Sequence, residues 1–129
     1  MSTDLRVLYV DDDDDIRTIA SMALRIDPGM DVRAVSSGRE ALDLLSGGTW
    51  RPDVILLDVM MPGMDGFELH AALCQRDDLG DVKTIFMTAR ASRAGLEEYV
   101  ASGADGVILK PFDPLTLATE VRAVVARPG

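Results

Sequence analysis

The chain has 129 residues, a formal net charge of −9, 47% hydrophobic and 27% charged residues, which fits one globular domain with an ordinary core. Its apolar runs are too short to span a bilayer, Met1–Arg6 lacks the pattern of an export signal, and a lone cysteine, Cys74, can form neither an internal disulfide nor a cysteine-based metal cluster. The acidic balance argues against nucleic acid or an anionic membrane as a direct partner, since both need clustered Lys and Arg, and the expected location is cytoplasmic.

Short apolar runs alternate with helix-period segments along the whole chain. Leu5–Val10 reads as a strand without polar alternation, and segment 14–26 places Ile16, Ile19, Ala20, Ala23 and Leu24 on one helical face. Val32–Val35, broken by Arg33, reads as an edge strand. Ser37 can cap a helix that buries Ala41, Leu42 and Leu45 and stops at Gly47-Gly48. Val54–Leu57 is a second unbroken apolar strand. The turn-rich stretch Met61-Pro62-Gly63-Met64-Asp65-Gly66 follows, then a helix over 67–75 and a strand at Thr84–Met87. Helix 92–102 is expected to bury Leu96, Tyr99 and Val100. Strand Val107–Leu109 and helix 114–126, with Leu117, Ala118, Val121, Val124 and Val125 on one face, complete the pattern.

Five βα units in succession predict an α/β fold with a parallel sheet and helices on both faces. The runs at 7–10, 54–57, 85–87 and 107–109 read as strands covered on both sides. The chain, 1–129 with a core of about 5–126, is expected to form a single domain with no effector domain.

Ligands of an open parallel sheet bind beyond the carboxyl ends of its strands. Asp11 and Asp12 follow the first run, Asp58 the third, Thr88 the fourth and Lys110 the fifth. Three carboxylates, a hydroxyl and an ammonium group are thus predicted at one edge. Packed carboxylates repel, and a hard cation such as Mg²⁺ relieves them. Asp58 can serve as a covalent nucleophile toward a phosphoryl group, with Lys110 and Thr88 contacting its oxygens. Asp13, Asp14 and Asp15 read instead as charges at a helix N-terminus. Asp65 and Gly66 read as cap and turn, Met60, Met61 and Met64 as loop packing, and Cys74 as a small buried residue. His70 is assigned no role.

The stretches Val10-Asp11-Asp12, Leu56–Gly66 around Asp58, Met87-Thr88-Ala89 and Gly103–Phe112 around Lys110-Pro111 resemble the receiver domains of response regulators in bacterial two-component signalling, in the manner of the chemotaxis regulators. The resemblance implies a (βα)5 doubly wound, flavodoxin-like sheet in the order 2-1-3-4-5. It implies Asp58 as phosphoacceptor and Asp58, Thr88 and Lys110 as the catalytic set. Mg²⁺, for which Mn²⁺ can substitute, is implied at Asp11, Asp12, Asp58 and the Met60 carbonyl, with a cis Lys110–Pro111 bond. The implied partners are a sensor histidine kinase or histidine phosphotransfer protein, and a downstream target met through the face made by helix 92–102, strand 107–109 and helix 114–126. The protein is then a regulatory phosphoacceptor rather than an enzyme acting on external substrates, although it takes part in its own phosphotransfer and autodephosphorylation.

Val107 departs from the family, which usually has an aromatic residue or histidine three positions before the lysine and turns it inward when the threonine moves. Met60 and Arg90 occupy positions that tune hydrolysis in the family. A dehalogenase-type phosphatase is the enzymatic alternative, but it wants a second acid where Met60 stands. A flavodoxin-like redox protein lacks support in a phosphate loop after the first strand, and a degenerate scaffold usually loses one of the acids kept here.

Overall fold

Buried Val, Leu and Ile runs set the frame. A computed structural model describes residues 5–89 and 93–127, the side chains of 93–96 excepted. The elements are β1 (Leu5–Val10), α1 (Asp14–Arg25), β2 (Met30–Val35), α2 (Gly38–Ser46), β3 (Val54–Asp58), α3 (Gly66–Cys74), β4 (Lys83–Thr88), α4 (Arg93–Ala101), β5 (Gly106–Leu109) and α5 (Leu117–Val125), with a short 3-10 turn at Asp77–Leu79. The five strands form one parallel sheet in the order β2-β1-β3-β4-β5. Fold class and strand order agree with the sequence reading.

Successive side chains of a strand point to opposite faces, so each strand feeds two cores. Val7 and Tyr9 of β1, Val54 and Leu56 of β3, Ile85 and Met87 of β4 and Ile108 of β5 meet α1 and α5. Leu8, Val10, Ile55, Leu57, Phe86 and Val107 face the opposite way, toward α2, α3 and α4. The sheet is held by burial on both faces, as a parallel sheet requires.

The helices begin where their sequences say. Asp13 caps α1, accepting the N–H groups of Asp15 and Ile16. Ser37 caps α2. Asp65 and Glu68 form a reciprocal capping box on α3, with bonds of 2.8 and 3.0 Å. Gly66 has a further reason to be glycine: a Cβ there would stand 2.6 Å from the Asp58 carbonyl oxygen. The start of α3 is thereby pressed against the end of β3, and the loop between them is fixed beside Asp58.

Several side chains differ from expectation. Ile19 is 48% exposed and Val100 70% exposed. In α1 the inward stripe is Ala20, Ala23 and Leu24, and Ile19 flanks an apolar hollow with Ile16, Pro111, Phe112 and Pro114 instead. In α4, Tyr99 takes the inward direction and its neighbour Val100, a hundred degrees round the helix, faces out. Leu42 is only half-buried, and the side chain of Leu96 lies outside the described residues. The run 107–109 is not covered on both sides: β5 is the last strand of the order, Val107 is half-buried and Leu109 is 44% exposed. Cys74 is exposed, because it ends α3 one turn past the buried His70. Met60 is 73% exposed rather than packed, while Met61 is buried.

Candidate functional site

The carboxyl ends of β1, β3, β4 and β5 open onto one cleft of about 690 Å³, lined by Asp11–Ile16, Asp58, Met60, Thr88, Ala89 and Lys110. Asp11 is completely buried and Asp58 nearly so, whereas Asp12 is exposed toward solvent. Carboxylate oxygens of Asp11, Asp12 and Asp58 all lie within 4.8 Å of one another. Lys110 reaches across the cleft. Its Nζ donates to Asp11 Oδ2 at 3.0 Å and to Asp58 Oδ1 at 3.1 Å. The Lys110–Pro111 bond is cis, as the resemblance implied.

Asp11 is held from several sides. Its Oδ1 accepts the Asp13 N–H at 3.0 Å, and its Oδ2 accepts the Tyr9 hydroxyl at 2.8 Å. Arg17 Nη1 donates to its carbonyl oxygen at 2.8 Å and also pairs with Asp14. Tyr9 is fully buried, and burial, with the Asp11 charge beside it, holds its phenol proton well beyond the ordinary range.

The electrostatics follow from crowding. Burial and the Asp11 charge push the Asp58 carboxyl up to about 6, against the pull of Lys110 and the Met60 N–H. Burial opposes the charge on Lys110, but the hydrogen bonds and charges of Asp11 and Asp58 outweigh it and hold its pKa above the ordinary value. Lys110 therefore bonds two of the three carboxylates that meet here. The unmatched negative charge, the oxygen-only donors and the open side at Asp12 suit a hard divalent cation.

Thr88 ends β4 and is buried. Its Oγ1 lies 2.8 Å from the Tyr99 hydroxyl of α4. Val107 sits beside Phe86 in the adjoining strand and packs toward α4, away from the carboxylates. Met60 lines the cleft. Arg90 lies outside the described residues. The structure thus brings Asp11, Asp12, Asp58, Met60, Thr88 and Lys110 together.

Comparison with known proteins agrees. The family model for the response regulator receiver domain matches residues 7–122. The chain belongs to the response regulator receiver family. It is 39% identical over 130 residues to the transcriptional regulatory protein CseB of Streptomyces avermitilis, covering 100% of this chain and 52% of that one. It is 37% identical to the DNA-binding response regulator MtrA of Mycobacterium tuberculosis, covering 95% of this chain and 51% of that one. The receiver thus spans about half the length of these curated relatives. Among solved structures it is similar to the chemotaxis response regulator CheY4 of Vibrio cholerae, with a TM-score of 0.83 and 37% identity, over 95% of this chain and 99% of that one. A response regulator receiver protein from Burkholderia phymatum gives a TM-score of 0.81 and 34% identity, over 97% and 98% of the two chains. The receiver is a regulatory signalling domain of the two-component type. No helix among its described residues is long and apolar enough to cross a membrane.

Two residues of the site escaped the sequence reading. Tyr9 stands two positions before Asp11 on β1, and the two-residue period of a strand puts both on the same side. Tyr99 was legible as a buried helix residue but not as a partner of Thr88, because that contact joins two elements eleven residues apart.

Proposed function

We propose that the receiver takes a phosphoryl group onto Asp58 from the phosphohistidine of a sensor kinase or phosphotransfer protein, and that this changes its contacts with a target protein. The observation that carries the reading is the Asp58 carboxylate, buried at the end of β3 against Asp11, Asp12 and Lys110. An Asp58 oxygen attacks phosphorus, the P–N bond to the donor histidine breaks, and an acyl phosphate results. Water later attacks the same phosphorus and releases phosphate. Lys110 already bridges Asp11 and Asp58, and it shifts its hydrogen bonds to the phosphoryl oxygens. Thr88 gives a further hydrogen bond. Asp11, Asp12, Asp58 and the Met60 carbonyl would hold Mg²⁺ or Mn²⁺, which would supply positive charge to offset that of the phosphoryl oxygens. Asp11, whose two oxygens accept from Asp13, Tyr9 and Lys110, would hold the cation either directly or through water.

The output face is α4, β5 and α5. Thr88 ends β4, the strand before α4, and Lys110 follows β5, the strand before α5. Val100, Leu109 and Leu115 are exposed there, 70%, 44% and 82%, as an apolar docking surface needs. The expected location is cytoplasmic. Nucleic acid and membrane are not direct partners of this acidic domain; DNA binding is in the name of the mycobacterial relative, of which this chain matches 51%.

Mass spectrometry after incubation with acetyl phosphate and Mg²⁺ tests the reading. One phosphoryl group is expected on the wild type and none on Asp58→Ala. Full labelling of that variant would overturn the assignment.

A further inference from the structure

Val107 cannot act as the aromatic reporter of Thr88: it carries no polar atom and no ring. The structure offers another group. Tyr99 is 1% exposed, and its hydroxyl lies 2.8 Å from Thr88 Oγ1. Its ring stacks on Phe67 with centroids 5.5 Å apart and 14° between planes, and tilts against Phe86 at 5.6 Å. We infer that Tyr99 is the positioning residue of this switch: its hydroxyl donates to Thr88, aims the Thr88 proton toward the phosphoryl site, and follows Thr88 when that residue moves, so that α4 reads the state of Asp58.

The inference rests on Asp58 being the phosphoacceptor, and on three physical points. A threonine hydroxyl has one proton to give and two lone pairs to accept with. Thr88 can therefore keep the Tyr99 proton while passing its own to a phosphoryl oxygen, and hydrogen bonds in such a chain strengthen one another. A buried phenol hydroxyl is costly to strip of its partner, so Tyr99 is drawn along rather than left behind. Finally, a phenol oxygen lies on the axis about which its ring flips, so a ring flip cannot move it. The ring packs against both Phe67 and Phe86, which also touch each other, and close packing of this three-ring cluster resists a change of rotamer. Displacement of the hydroxyl is then taken up by the backbone of α4. Val100, next in sequence and exposed, shifts with it. The signal leaves through a helix residue instead of through residue 107 of the edge strand.

The chain has two tyrosines, Tyr9 and Tyr99, which makes the idea directly measurable. Each hydroxyl has a different partner: Tyr9 senses Asp11 at the acidic end, and Tyr99 senses Thr88. With tyrosine labelled at the ring ζ-carbon, NMR spectra are compared with and without Mg²⁺ and saturating beryllofluoride, a stable phosphoryl mimic. Both resonances should move in the wild type. In Thr88→Val the Tyr99 response should vanish while that of Tyr9 persists, and Thr88→Ser should restore it. In Tyr99→Phe, with the Tyr9 resonance confirming saturation, the amide shifts of residues 97–109 should fall by more than half. A Tyr99 resonance that ignores beryllofluoride while Tyr9 responds, or a full amide response in Tyr99→Phe, would overturn the inference and leave the phosphoacceptor reading standing. Silence at both tyrosines, with no beryllofluoride bound, would instead overturn the phosphoacceptor reading and this inference with it.

Discussion

Thr84 and Thr88 stand four residues apart in β4, on the same face of the sheet, and both are buried. Each hydroxyl is hydrogen-bonded to a ring on a neighbouring helix: Thr84 to His70 Nε2 of α3 at 3.1 Å, Thr88 to Tyr99 of α4 at 2.8 Å. Both also border polar clefts. The cleft at the Thr84 end, about 460 Å³, is lined by His70, Cys74, Arg76, Asp81, Lys83 and Asp105 among others. Yet the charges at that end are mostly settled locally. Asp105 accepts the Thr84 N–H, Arg76 pairs with Asp78, and Lys83 donates to the Arg127 carbonyl. Burial holds the His70 pKa below its ordinary value, with Asp105 opposing, so its ring is neutral at pH 7. At the Thr88 end, three carboxylates meet and Lys110 bonds two of them, Asp11 and Asp58. Size and polar lining do not separate the two clefts. Charge left unmatched after every local partner has been used does.

That contrast can be broken most sharply at Lys110. Lys110→Ala removes the cation that bridges the Asp11 and Asp58 carboxylates, and breaking a buried pair from one side is costly, here roughly 3 kcal/mol. Urea unfolding at pH 7.5 without divalent cations should show the loss, and millimolar Mg²⁺ should recover part of it, as a ligand bound only by the folded state does. Lys83→Ala at the opposite end should cost less than about 0.5 kcal/mol. Equal losses in both variants would erase the distinction between the two ends.

A smaller effect of opposite sign is expected from Asp58→Asn. The Asp58 pKa rises from 3.8 to about 6 in the folded chain, so its contribution to stability is whole below about pH 4 and is lost as the pH rises through about 6. The full difference is roughly 3 kcal/mol at pH 7.5. The attraction of Lys110 is already contained in that shift, and the amide must still be buried, so a net gain of roughly 1 to 2 kcal/mol is expected. By pH 4.5 about a third of that gain should remain. A variant no more stable than wild type at pH 7.5 would show that Lys110 fully compensates the carboxylates.

The Thr84 end should give the smallest effect and the reverse slope with pH. His70 has a lowered pKa, so its contribution is whole above its ordinary value of 6.5 and is lost as the pH falls through the lowered one. Thr84→Val leaves the buried His70 Nε2 with only the weak Cys74 thiol at 3.7 Å and should cost about 1 kcal/mol, with phosphorylation of Asp58 unchanged. NMR titration of the single histidine checks the premise, since a midpoint at or above 6.5 would contradict it. Impaired phosphorylation in Thr84→Val would mean that the two ends of β4 are coupled.

What the sequence determined by itself is whatever depends on neighbours along the chain. Unbroken apolar runs marked the strands, helix-period segments placed most of the core, and Asp13, Ser37 and Asp65 announced helix starts because capping is a local event. The ligand edge was equally legible, since a parallel sheet sends the residue after every strand to the same side, and Asp11, Asp12, Asp58, Thr88 and Lys110 could be read off in order. What only the tertiary structure decided depends on distance through space. Ile19 and Val100 fit their helical faces within the period but lie at the margin where no neighbour covers them. Strand Val107–Leu109 is as apolar as the others, and its edge position follows from strand order, not from composition. Cys74 is of a type usually buried, yet the end of α3 leaves it in solvent. The hydrogen bonds of Tyr9 to Asp11 and Tyr99 to Thr88 carry no local signature of a site, because a buried tyrosine reads as core until the structure shows which polar atom meets its hydroxyl.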